Sequence, residues 1–124
     1  MITYVFNSEK NIFDTVFSGM IEPSEILIYM QEVNKNKDLP KKLNAIIDVR
    51  TADFDFEPIA MQSIVRENFR MNKSFNMINN AILANNPHDV TLVMFQHYTL
   101  GSEKYHVEIF TDRDKAEKWL GSFK

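Results

Sequence analysis

The sequence predicts a single α/β domain, residues 1–124, with a mixed, mostly parallel sheet and helices mainly on one face of it. Three observations carry that prediction. Runs rich in β-branched and aromatic residues alternate with amphipathic segments of about ten to fifteen residues. The first two runs lie close enough to form a hairpin. The later runs are consistently apolar on one side only.

Ile2–Phe6 and Ile12–Phe17 are the first two strands, and Asn7-Ser8-Glu9-Lys10-Asn11 joins them as a β-hairpin. Gly19 is expected to end the second strand. Pro23 suits a first helical turn, and Ile26, Leu27, Met30 and Val33 recur at helical spacing to about Asn36. Leu39-Pro40 closes that helix before a third strand, Leu43–Val49. Arg50–Glu57 reads as a polar and aromatic loop. Pro58 opens a second helix carrying Ile59, Met61, Ile64, Val65 and Phe69. A fourth strand runs from about Met77 to Ala84. Asn85-Asn86-Pro87 turns the chain into a third helix, with Val90, Val93, Met94 and Tyr98 as its stripe. Gly101-Ser102 breaks it. Tyr105–Phe110 is the last strand. Thr111 or Asp112 caps a final helix, with Asp114 three residues after Thr111 as in a capping box, and Ala116, Trp119, Leu120 and Phe123 form its docking face.

The resulting order, β-β-α-β-α-β-α-β-α, implies right-handed crossovers. Within the third strand Leu43, Ala45, Ile47 and Val49 oppose Asn44, Ile46, Asp48 and Arg50. In the last, Tyr105, Val107 and Ile109 oppose Lys104, His106, Glu108 and Phe110. Strands covered on both faces read as near-continuous apolar runs. Here the second face is mixed, so it is expected to meet water, a partner or a second copy.

Composition narrows the function. Hydrophobic residues are 44% and charged residues 25%, as in an ordinary globular domain. No cysteine is present, which removes disulfides, thiolate metal sites and cysteine nucleophiles. Fourteen basic against seventeen acidic residues give a net charge of −3, which argues against a nucleic-acid partner. The densest positive cluster, Lys35, Lys37, Lys41 and Lys42, reads as a solvated helix end. The opening residues lack the pattern of a signal peptide, and no run suffices to cross a bilayer, so the cytoplasm is the expected compartment.

Several short segments together resemble the SpoIIAA-like family, relatives of the STAS and Sec14-type domains. They are the hairpin with Gly19 before Pro23-Ser24-Glu25, Ala45-Ile46-Ile47-Asp48-Val49-Arg50, Asn80-Ala81-Ile82-Leu83-Ala84, and Phe110-Thr111-Asp112 followed by Ala116 and Trp119-Leu120. The resemblance implies a β-α superhelix and a non-catalytic module. In that wider group some members carry a phosphorylatable Ser at the start of the helix after the third strand, and some bind hydrophobic or nucleotide ligands. This sequence has Arg50-Thr51-Ala52-Asp53-Phe54-Asp55-Phe56-Glu57-Pro58 there, with Thr51 the nearest hydroxyl in place of an Asp-Ser-Ser-Gly-like motif.

Asp48, Arg50, Thr51, Asp53 and Asp55 gather where a parallel strand ends, the edge at which open α/β sheets bind ligands. Arg50 has the fork to grip a carboxylate or phosphate. The plainer reading, which we favour, pairs Asp48 with Arg50 to hold the local shape. Asp53, Asp55 and Glu57 lack the glycine and the terminal acid of a calcium loop, so no metal is expected. His106 and Glu108 share the mixed face, either as a His-carboxylate couple or as solvent-facing and interface residues. His88 and His97 form no ligand spacing. No nucleophile elbow or P-loop occurs, and three glycines leave no phosphate-cradling loop. Ten Phe and seven Met mostly fill the core, with Met30, Met61, Phe69, Met94 and Phe110 on inward faces. Phe54 and Phe56 flank charged residues and are candidates to anchor a partner or cap a pocket, and 69–75 is a candidate exposed patch.

The expected protein is therefore a binding or regulatory module without a cofactor, acting on a protein partner or on itself as a homodimer through the mixed face or the hairpin edge. The alternative is a carrier or sensor of a small hydrophobic or anionic ligand near Arg50 and Phe54. A third reading is a phospho-switch at Thr51.

Overall fold

Nine elements follow the expected order: β1 (Ile2–Asn7), β2 (Ile12–Ile21), α1 (Pro23–Lys35), β3 (Lys42–Phe54), α2 (Ala60–Met71), β4 (Met77–Leu83), α3 (Val90–Thr99), β5 (Tyr105–Phe110) and α4 (Arg113–Gly121). The structure is a computed structural model that describes residues 1–71, 74–99 and 103–123, with the backbone alone for 67–71. Phe69 and the Gly101-Ser102 break, both singled out above, lie outside the described side chains.

The strands form one sheet in the order β1-β2-β3-β4-β5, with β1 antiparallel to β2 and all other neighbours parallel. One face carries α1, α2 and α3. There Phe13, Phe17 and Ile21 of β2 and Leu43, Ala45, Ile47 and Val49 of β3 pack with Ile26, Tyr29 and Val33 of α1, Met61 and Ile64 of α2, and Leu92 and Phe95 of α3. The second face carries α4, whose Ala116 and Leu120 pack on Ile12, Ile46, Ala81 and Leu83. Helices thus lie mainly on one face, as expected. The mixed face, however, is half covered. Alternation in the strands registered a second face that is less apolar, and a single docked helix satisfies it.

Three boundaries differ from the sequence reading. Gly19 does not end β2. It takes φ +71°, a left-handed conformation that suits glycine, and the strand continues to Ile21. β3 likewise runs on through Arg50–Phe54, because the extended β2 gives it a partner: Ser18 pairs with Thr51 and Ile21 with Phe54. Between Val16/Asp48 and Ser18/Thr51 the register slips by one residue, a bulge that re-aims the end of β3. Asp112, rather than Thr111, caps α4, its carboxylate accepting from the Asp114 N–H at 2.8 Å.

Two apolar stripes are corrected. Ile59 precedes α2 and is exposed. In α3, Val90 and Val93 are exposed, whereas Thr91, Leu92, Phe95 and Thr99 are buried. That helix is apolar almost all round, so periodicity cannot choose its inner side. In the 69–75 segment Phe75 is buried, and Ser74 Oγ donates to the Asn34 carbonyl at 2.8 Å. Among the described residues no helix is long and apolar enough to cross a membrane.

Candidate functional site

The ends of β3 and β4 and the start of α3 enclose an open cleft of about 220 Å³, lined by Arg50, Asp53 and Phe54 from β3 and by Asn85, Asn86 and Asp89 from the connection after β4. The parallel strands place it at their carboxyl ends, where crossovers diverge. The Asn85 side-chain amide donates to the Arg50 carbonyl at 3.0 Å and ties the two connections together. Asp89 occupies the α3 N-terminus: its Oδ1 accepts from the N–H groups of Thr91 at 3.0 Å and Leu92 at 3.3 Å. The helix end therefore already holds an anion of its own.

Arg50 and Asp48 form a bidentate pair. Nε donates to Oδ1 at 2.9 Å and Nη2 to Oδ2 at 2.7 Å, and the Arg50 backbone N–H donates to Oδ1 at 3.0 Å. These bonds hold the Asp48 carboxyl below the usual carboxylate range, with Arg113 adding a smaller attraction. Thr51 is on the strand, not in a loop, and its exposed hydroxyl donates to the Phe17 carbonyl at 3.4 Å.

Phe54 and Phe56 are half-buried and close an aromatic chain. Tyr29 meets Phe17 edge-on at 5.8 Å, Phe17 meets Phe54 at 6.4 Å, and Phe54 meets Phe56 at 5.9 Å. Beneath them, between α1, α3 and the sheet, lie two small, partly open pockets of about 40 Å³ each that share Tyr29, Met30, Ile47 and Phe95. Each has room for a water molecule or two, far less than a drug-sized ligand fills.

His106 and Glu108 sit at the other end of the second face. His106 Nδ1 is 2.8 Å from Asn79 Oδ1, and Asn79 Nδ2 donates to Asn44 Oδ1 at 3.0 Å. Because the Asn79 amide donates to Asn44, its oxygen is left to accept, which makes Nδ1 the protonated nitrogen of His106. The imidazole also stacks on Phe123 at 5.0 Å, while Glu108 is exposed. Histidine thus belongs to a polar row across β3, β4 and β5 in register, and Glu108 stands apart from that row.

Of the five strand-end residues, Arg50 and Asp53 line the cleft, whereas Asp48, Thr51 and Asp55 do not. Sequence reasoning missed Asn85, Asn86 and Asp89 as cleft residues and Asn79 as a buried polar residue. The doubled asparagine inside an apolar strand, Ile78-Asn79-Asn80-Ala81, was the available signal for the latter. Also missed was the charge network on the second face: Arg113 donates to Asp14 at 2.6 Å and to Glu117 at 3.0 Å, and Lys10 reaches Glu117 at 3.3 Å. It fastens α4 to the hairpin. Beyond it the face is bare over Thr3, Val5, Val16, Ser18 and Met20. Among the described residues no three His, Asp or Glu side chains are grouped to hold a metal ion.

No protein-family model matches the sequence, and no curated protein matches it. A solved structure does: an uncharacterised protein of the DUF3478 family from Shewanella loihica PV-4, described as having a SpoIIAA-like fold. The two share 14% identity at a TM-score of 0.60, over 97% of this chain and 92% of that one. Five strands in sequential order, three helices on one face and a fourth on the other make this chain, too, a protein of SpoIIAA-like fold.

Proposed function

We propose that the chain is a non-catalytic, STAS-like interaction module that works through protein contact, self-association included. Its contact region is the bare part of the second face together with the hairpin edge. One observation carries this reading: Val5, Val16 and Met20 are all exposed on the second face, where α4 leaves the sheet uncovered. Asp48, Arg50 and Thr51 border that strip as a polar rim, an arrangement common at interfaces. The two small pockets beneath Phe54, about 40 Å³ each, give an apolar cargo little support. Native mass spectrometry before and after denaturation tests the proposal. A multimer without added mass supports it; a monomer carrying a small molecule that is lost on denaturing overturns it.

A second reading is favoured by the 220 Å³ cleft: capture of a small polar ligand between Arg50, Asn85 and Asn86. Asp89 already fills the helix terminus, so an uncharged or zwitterionic ligand suits the cleft better than a free anion. A phospho-switch at Thr51 is the third reading, supported by the exposure of its hydroxyl. Intact-mass analysis of protein from its native cell that shows no phosphate under any growth condition would discard it.

A further inference from the structure

We infer that the partner at the hairpin edge is a second copy of this chain, joined antiparallel through β1 with Tyr4 on the two-fold axis, so that two five-stranded sheets become one of ten strands. The inference rests on the interaction reading above and names its partner and register.

Hydrogen-bond phase comes first. Met1 and Ser18 exchange both backbone bonds, Met1 N to Ser18 O at 2.7 Å and Ser18 N to Met1 O at 2.9 Å. In an antiparallel pair such doubly bonded positions alternate. Thr3, Val5 and Asn7 therefore also turn their backbone groups toward β2. Ile2, Tyr4 and Phe6 turn theirs to the open edge. A second β1 laid antiparallel with Tyr4 opposite Tyr4 sets Ile2 against Phe6 and Phe6 against Ile2. Every outward N–H then meets an outward C=O. This self-complementarity is what an isologous two-fold contact requires.

Chemistry at the edge agrees. Exposed edge strands are ordinarily blunted by charge, proline or a bulge. β1, Ile-Thr-Tyr-Val-Phe-Asn, has none of the three, in a chain whose net charge is −3. The opposite edge is protected: β5 carries exposed Glu108, and Gln96 Nε2 donates to the Val107 carbonyl at 3.1 Å. Along β1 itself, Ile2–Asn7, no charged side chain faces a second strand laid beside it.

Exposed apolar side chains lie near this edge on both faces of the sheet. Tyr4 and Val5 of β1, Val16 of β2 and Ile28 of α1 are all among the exposed large hydrophobic residues. Glu25 and Glu32 reach over to β1, to the Met1 amino group and the Tyr4 hydroxyl respectively. Ile28 lies between them on the same helical stripe, so it overhangs the edge. A two-fold about Tyr4 sets Val5 beside Thr3 of the other copy on the second face of the joined sheet.

The native chain has no cysteine, so engineered ones report the register directly. Thr3 and Val5 of opposite copies form non-hydrogen-bonded pairs with Cα atoms about 4.5 Å apart, within disulfide reach. Thr3→Cys and Val5→Cys proteins are mixed, oxidised and run without reductant beside each variant alone. Native mass spectrometry of the parent and of T3K/V5K accompanies them. The inference expects a dimeric parent and a cross-link formed in the mixture but in neither single variant. It also expects a dimer weakened at least about tenfold by the lysines, because they place like charges directly opposite, with an unchanged melting temperature of the monomer. A dimer without that cross-link, or one cross-linked by a single variant alone, overturns the β1 contact and leaves the interaction reading standing. A parent monomeric at every concentration overturns the inference and self-association together.

Discussion

The Tyr29 hydroxyl of α1 lies 2.7 Å from Thr15 Oγ1 of β2, inside the three-helix layer where both side chains are buried. Each hydroxyl satisfies the other away from bulk solvent. Tyr29→Phe leaves the Thr15 hydroxyl unpaired and is expected to cost about 1–3 kcal/mol in urea denaturation. The double variant with Thr15→Val removes both polar atoms and should recover part of that loss.

Stability should fall in alkali. Burial raises the Tyr29 phenol well above the ordinary tyrosine value, and its hydrogen bond to Glu32 raises that of Tyr4. Both groups release protons more readily from the unfolded chain, so their contribution is complete below about pH 10 and is lost as pH rises beyond it. Melting temperatures taken from pH 8 to pH 11 should bend downward above pH 10, and Tyr29→Phe should flatten the bend.

Asp48 predicts the opposite sign at the acid end. Its carboxyl is held low chiefly by the hydrogen bonds from Arg50, so the pair stabilises the fold above the usual carboxylate range, near pH 4. That contribution is lost as pH falls further toward the lowered folded value. Asp48→Asn should melt below the parent at neutral pH and converge with it as pH falls below the usual carboxylate range. Parallel curves across this range would mean that the pair has no part in acid stability.

Leu120 is 1% exposed against the second face. Leu120→Ala should cost about 2–5 kcal/mol by chemical denaturation, the range for a large aliphatic side chain removed from a packed layer. Trp119, half-buried at 5.7 Å from Phe110, supplies a fluorescence signal for the same transition.

Gly19 is held by backbone conformation, since a Cβ there would meet nothing within 4 Å. Gly19→Ala should therefore cost about 1 kcal/mol from the positive φ. Gly19→Asn should cost less, because asparagine tolerates the left-handed region.

Strands were legible wherever one face met the core, since a period of two leaves a clear mark in Leu43–Val49 and Tyr105–Phe110. The extension of β3 was hidden because Arg50, Thr51 and Asp53 are polar and exposed, and only pairing with β2 beyond Gly19 makes them a strand. The inner side of α3 was hidden because apolar residues surround it. At the candidate site, the pairing of Asp48 with Arg50 was readable from spacing alone. The contributions of Asn85 and Asp89 were not, since a crossover through α2 brings them to β3 and local spacing carries no record of it.

The lone position of α4 on its face has a further consequence. Among the described residues its packing is on the sheet, through Ala116, Leu120, Trp119 and the Arg113 network. α4 is therefore expected to open as a separate cooperative unit while the three-helix layer stays folded. Amide protons of α4 should exchange with solvent well before those of β4, and the opening event would briefly bare Ile46, Ala81 and Leu83 without melting the domain.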